Sequence, residues 1–171
     1  MIEVRRLDAQ ELRTQLDALA SVLHDCVDGG ASVSFMWPFS EDDARAYFET
    51  VAADVEAGGR MLLAAFDDDE LVGTVQITHV WPPNQRHRAD ITKLLVRTSA
   101  RGRGIAQRLM ETAEEEARAE GKTVLVLDTI TDSPAYRLYQ RLGYVVVGEI
   151  PDFALYPDGR PCPTTFFYKR I

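Results

Sequence analysis

Apolar positions along the chain fall into runs of two periods. Ile2 and Val4 alternate with Glu3 and Arg5, as in an edge strand over 1–7. Leu12, Leu16, Leu19, Leu23 and Val27 recur every three or four residues, which predicts one amphipathic helix over 9–28, capped by Asp8 and ended by Gly29-Gly30. An aromatic-rich loop, Ala31 to Phe39, follows, and Ser40 then caps a second helix over 41–57. Met61 to Phe66 is continuously apolar, Asp67 to Glu70 is a polar turn, and Leu71 to Val80 alternates with Leu71, Gly73, Val75 and Ile77 on one face, so the stretch reads as a β-hairpin. A strand over 89–96 precedes a helix over 104–120, in which Ile105, Leu109, Ala113 and Ala117 recur every fourth residue. Next come a buried strand over 123–127 and a helix opened by Ser133-Pro134 and closed by Gly143. Two last strands, 144–150 and 164–169, are separated by a long turn-rich loop.

The predicted order is β-α-α-β-β-β-α-β-α-β-β. Strand 89–96, helix 104–120 and strand 123–127 form a βαβ unit, which makes its two strands parallel. The expected class is α/β of the α+β type: a central mixed, mostly antiparallel sheet with one parallel βαβ pair, flanked by helices. The whole chain, 1–171, reads as one domain, without repeats or linkers.

Composition narrows the function. At 46% hydrophobic and 27% charged residues, the chain has the makings of a packed core. No stretch approaches the roughly eighteen apolar residues of a membrane span, and the N-terminal MIEVRRLD lacks an apolar leader. Cys26 and Cys162 make neither a disulfide framework nor a metal spacing, and His24, His79 and His87 add no ligand pattern, so no metal and a cytoplasmic location are expected. With 19 basic and 27 acidic residues the formal charge is −8. That argues against nucleic acid or an anionic membrane as partner and mildly favours a cationic one, such as an amine.

Against this acidic background, Val96 to Ala106 stands out. It joins a strand to a helix and carries Arg97, Arg101 and Arg103, with Arg108 just beyond, around Gly102 and Gly104. Glycines let a backbone approach a ligand closely, and a helix N-terminus offers free N–H groups and a positive dipole end. Together they read as a pyrophosphate cradle. The Lys-Ser/Thr pair of a Walker loop is missing, as is the third glycine of a dinucleotide fingerprint.

Arg101-Gly102-Arg103-Gly104-Ile105-Ala106 resembles the acetyl-CoA signature of the GCN5-related N-acetyltransferase (GNAT) family, Q/R-x-x-G-x-G/A. Ala135 to Tyr144 resembles that family's second motif, A-x-x-L-Y-x-x-x-G-F/Y, and the element order agrees over nearly the whole chain. Within the family, Gly29 to Val33, His87 to Asp90, Leu127 to Thr129 and Pro157 to Arg160 are similar to the tabtoxin-resistance group of bacterial enzymes. The resemblance implies the GNAT fold and acetyl-CoA as co-substrate. It implies that Leu94, Leu95 and Val96 pair with the pantetheine arm, that the pyrophosphate rests on N–H groups of Arg101, Gly102, Arg103, Gly104, Ile105 and Ala106, and that an N–H near Leu95 polarises the thioester. It makes Tyr139 the acid for the leaving thiolate and lets Tyr136 line the pantetheine channel. Asp132 stands where many members have Asn, so Ser133 is expected to take over its coenzyme contact. A homodimer is compatible with the family.

Acetyl transfer needs a neutral amine, hence a base. Asp90 and Asp128 are the candidates: Asp90 shares a face with Thr92 and Leu94 by period two, and Asp128 ends an apolar strand at the carboxyl edge of the sheet, where open α/β sheets bind ligands. Phe35 and Trp37, with Asp28 as a charged contact, are expected to line the acceptor pocket, and Pro151 to Pro163 to close it. The expected activity is acetyl transfer by direct attack of a small molecule's primary amine, the acceptor being amino-acid-like, an antibiotic or a toxin. A protein or peptide N-acetyltransferase and a non-catalytic acyl-CoA-binding module are the alternatives.

Overall fold

The computed structural model describes residues 1–171. Strands β1 (Ile2–Leu7), β2 (Arg60–Asp67), β3 (Glu70–His79), β4 (Arg88–Val96), β5 (Val124–Ile130), β6 (Val145–Leu155) and β7 (Pro161–Arg170) form one sheet in the order β1-β2-β3-β4-β5-β7-β6. Only β4 and β5 run parallel, and the mixed, mostly antiparallel sheet expected from the sequence is what the chain builds. Helices α1 (Ala9–Thr14), α2 (Leu16–Asp28) and α3 (Glu41–Glu56) pack on one face, and α4 (Ile105–Ala119) and α5 (Pro134–Arg141) on the other.

The two faces bury separate cores. Leu19, Leu23, Phe48 and Val51 meet Leu62, Ala64 and Leu95 on the α1–α3 side. Ile105, Leu109, Ala113 and Tyr139 meet Met61, Leu63, Val75, Ile77, Ile91 and Leu127 on the other. This is why Met61 to Phe66 reads as unbroken apolar sequence: β2 is covered on both faces. Capping fixes the helix starts. The Asp8 carboxylate accepts from the Glu11 N–H (2.8 Å) while Glu11 accepts from the Asp8 N–H (3.0 Å), and Ser40 and Asp43 repeat the exchange at α3.

The structure differs from the expectations at five places. β5 runs on to Ile130, so Asp128 lies within the strand, paired with Phe166, rather than at its end. The helix over 9–28 is two helices: Gln15 leaves helical geometry, and its N–H donates to the carbonyls of Glu11 and Leu12. The period runs through because Leu12 and Leu16 reach the same core across the break. Leu71 parts from Gly73, Val75 and Ile77. Between Ala65↔Gly73 and Phe66↔Leu71 the register gains a residue, Val72, which turns Leu71 into the opposite core.

Leu94 parts from Asp90 and Thr92 for the same kind of reason. Gln76 pairs with Thr92 and Thr74 with Leu95, so Lys93 and Leu94 together oppose Val75. Lys93 sits in this bulge at φ +52°. Beyond it Leu94 and Val96 join the α4–α5 core. Finally, the last two strands are longer than expected, and the link between them is a tight turn, Tyr156 to Arg160. Pro151 and Pro163 are tolerated because they fall where the β6–β7 ladder shifts between Ile150 and Ala154.

Candidate active site

The parallel ladder is short. Arg88, Ala89 and Asp90 pair with Val124, Leu125 and Val126, and pairing then stops. Past this rung β4 and β5 diverge, which opens a gap through the sheet. Arg97 N–H donates to Val72 O, so by strand alternation the backbone groups of Leu95 face β3. Those of Leu94 and Val96 face the gap. The backbone N–H groups open to the gap near Leu95 are thus those of its two neighbours, while Val96 O is already taken by Arg101 Nε (3.1 Å).

At the far end of β4 the chain turns through Gly102 and Gly104, at φ +78° and +77°, into α4. Gly104 is the N-cap and no side chain caps the helix. The N–H groups of residues 102–107 consequently donate to nothing in the chain. The four nearby arginines are not equivalent. Arg103 pairs with Asp67 (2.7 Å) and Arg97 faces Glu70 (3.6 Å). Arg101 and Arg108 have no carboxylate partner; their contacts are to Val96 O with Cys26 Sγ, and to Ile2 O. Free backbone donors beside two unneutralised guanidiniums suit a pyrophosphate, and a gap bordered by open β4 backbone suits an extended amide arm. The residues present therefore fit acetyl-CoA.

On the α1–α3 face lies a solvent-open cavity of about 480 Å³, a size that suits a small molecule. Its walls include Ser34, Phe35, Tyr47, Arg60, Asp90 and Lys93. Phe35 stacks on Phe39 and Tyr47. Asp28 and Trp37 lie outside this lining. Trp37 instead secures the loop: its indole N–H donates to Val27 O (3.0 Å) and its backbone N–H to Pro157 O (3.0 Å). Tyr47, Arg60 and Lys93 were not singled out from sequence.

Asp90 sits on the last parallel rung with its carboxylate held by Arg88 at 2.5 Å. Asp128 lies two residues past Val126, on β5 where the gap has opened. Burial raises its carboxyl above the usual range and Asp90 adds to this, while Lys93 opposes it. Tyr139, on α5, is buried in the α4–α5 core against Tyr144 and Phe167. Burial, with the charge of Asp128 behind it, raises its phenol well above the ordinary value. Tyr136 stacks edge-on to Phe167 at 5.2 Å. Ser133 Oγ caps α5 by accepting from the Tyr136 N–H (3.1 Å) and lies 3.4 Å from Thr129 Oγ1; Asp132 beside it is exposed at φ +60°.

Residues 28–144 match the acetyltransferase (GNAT) family. An uncharacterized N-acetyltransferase of the hisH-hisA intergenic region in Azospirillum brasilense is 32% identical over 130 residues, 74% of each chain. The L-methionine sulfoximine/L-methionine sulfone acetyltransferase of Pseudomonas aeruginosa is 26% identical over 138 residues, covering 80% of this chain and 78% of its own. In three dimensions the Salmonella typhimurium protein yncA, solved with its cofactor acetyl-CoA, superposes with a TM-score of 0.81 at 20% identity, over 99% of this chain and 94% of its own. The chain belongs to the GNAT acetyltransferase family and is an acyltransferase. No helix is long and apolar enough to cross a membrane.

Proposed function

We propose that the whole chain works as one cytoplasmic domain that transfers acetyl from acetyl-CoA to the primary amine of a small molecule, amino-acid-like, antibiotic or toxin, by direct attack. The observation that carries this reading is the gap between β4 and β5, with free N–H groups at one end and a small-molecule-sized cavity beside it.

Acetyl-CoA, when bound, supplies the activated acetyl group. The N–H groups of residues 102–106, with the guanidiniums of Arg101 and Arg108, hold its phosphates, the Arg101 N–H expected among them being taken by Thr98 O (3.4 Å), and Tyr136 lines the path of its arm. Leu94 and Val96 offer N–H groups to the arm and to the thioester oxygen as charge develops there. Asp128, raised by burial, takes a proton from the incoming ammonium directly or through water. Asp90, fixed by Arg88, contributes negative charge beside that path. Tyr139 stays protonated across the physiological range and donates to the leaving sulfur. Two copies pairing through β6, whose Val145, Val147, Ile150 and Phe153 are exposed, is the form self-association would take. A resistance role follows if the acceptor is a toxin or antibiotic.

The test is release of coenzyme A over a panel of amino acids, antibiotic amines and peptides. Turnover of small amines supports the reading. Turnover of peptides alone would shift it to a protein acetyltransferase, and binding without turnover to an acyl-CoA-binding module.

A further inference from the structure

Three charged side chains line the acceptor cavity, and two are neutralised within the chain. Arg60 pairs with Asp54 at 2.9 Å and donates to the Gln76 amide oxygen at 2.6 Å. Asp90 pairs with Arg88. Lys93 has no carboxylate partner: its ammonium donates to Ser34 Oγ at 3.0 Å and lies over the rings of Phe35 (5.7 Å) and Tyr47 (5.9 Å). Burial of this ammonium disfavours its charged form.

Its backbone is as unusual as its surroundings. A non-glycine residue at φ +52° is disfavoured, and the bulge that imposes it keeps the lysine on the cavity face. Without the bulge, strand alternation from Thr92 would carry the side chain through to the α4–α5 core. A strained backbone therefore delivers a cation with no salt-bridge partner to the cavity wall. Across the gap Asp128 carries the opposite charge on the same face, near enough to act on Lys93. An ammonium half-withdrawn from water and with no anion in contact is completed by an anionic ligand.

We propose that Lys93 is a specificity residue that reads an oxyanion on the acceptor, so that the preferred substrates carry a carboxylate or a similar anion a few bonds from the primary amine, as an α-amino acid does. This rests on the acetyl-transfer reading above. The anion sits at Lys93 and Ser34, and the amine points to Asp128. Simple alkylamines and amidated amino acids leave the lysine unanswered.

The experiment compares each common L-α-amino acid with its own carboxamide, using wild type, K93M and K93R. Wild type is expected to favour the acids by about tenfold or more in kcat/KM, the scale of one charge-assisted hydrogen bond. K93M is expected to bring the acid-to-amide ratio close to one, mainly through KM for the acids, and K93R to restore much of it. A wild-type ratio near one, or a K93M loss shared equally by acids and amides, overturns the proposal. Calorimetric binding of the N-acetyl amino acids and their amides is measured alongside. Acid-selective binding that K93M abolishes, without turnover of any amine, sustains the Lys93 assignment while overturning acetyl transfer. Turnover without acid preference does the reverse, and neither binding nor turnover overturns both.

Discussion

A Cβ placed on Gly73 would stand 2.8 Å from the carbonyl oxygen of Leu95 and 3.2 Å from Leu109 Cδ1. The first of these is backbone, so β3 and β4 approach here as closely as only glycine allows. Gly73 thus sets the position of the β4 segment that borders the gap. G73A is expected to cost about 1–3 kcal/mol, as overpacking does, and to weaken acetyl-CoA binding by displacing Leu94 and Val96. Urea unfolding and calorimetry on the same variant check both; unchanged stability with unchanged binding would show that β4 yields without consequence.

In the proposed mechanism Tyr139 acts only in the chemical step. Y139F is expected to lower kcat by about 10²–10⁴-fold, the usual range for a lost general acid, with coenzyme affinity little changed. Single-turnover rates beside calorimetry separate the two effects.

In the proposed mechanism Asp128 sets the acid side of the pH profile. Its raised pKa means that the proton-accepting form is lost as pH falls, so kcat/KM declines through that value. D128N is expected to lower the rate and remove this limb. Because the Lys93 charge holds the Asp128 pKa down, K93M is expected to move the limb to higher pH. A limb unchanged in D128N would assign it to another group.

The arginines of the loop proposed to hold the phosphates separate by their partners. Arg101 meets no carboxylate, and R101A is expected to raise the Kd for acetyl-CoA about tenfold or more, with reduced dependence on salt. Arg103 is already answered by Asp67, so R103A is expected to change Kd by less. Equal losses in both variants would mean that the Asp67 pair opens on binding.

How much of this was legible follows from the range of the forces involved. The open helix start at Gly102 to Ile105 could be read from its glycines because free N–H groups and left-handed turns are local properties of a few adjacent residues. Helix caps at Asp8 and Ser40 were readable for the same reason. Which arginines are free was not, since Asp67 and Glu70 lie some thirty residues away in sequence. The bulge at Lys93 comes from a mismatch between β3 and β4, and nothing within Asp90 to Val96 announces it. Without the bulge, period two placed Leu94 with Asp90 and left Lys93 unremarked. Phe35 was found because an aromatic loop needs something to cover. Trp37 looked the same in sequence, but its indole hydrogen bond turns it to securing the loop.

The central claim, acetyl transfer from acetyl-CoA to a small primary amine, is tested most directly by following products by mass spectrometry. The protein, acetyl-CoA and the amine panel are incubated together, and free coenzyme A and N-acetylated amine are counted in the same sample. The account predicts that they appear mole for mole for at least one small amine, and that Y139F slows both together. Acetyl-CoA bound but no small amine acetylated, or acetyl found only on peptides, would contradict it.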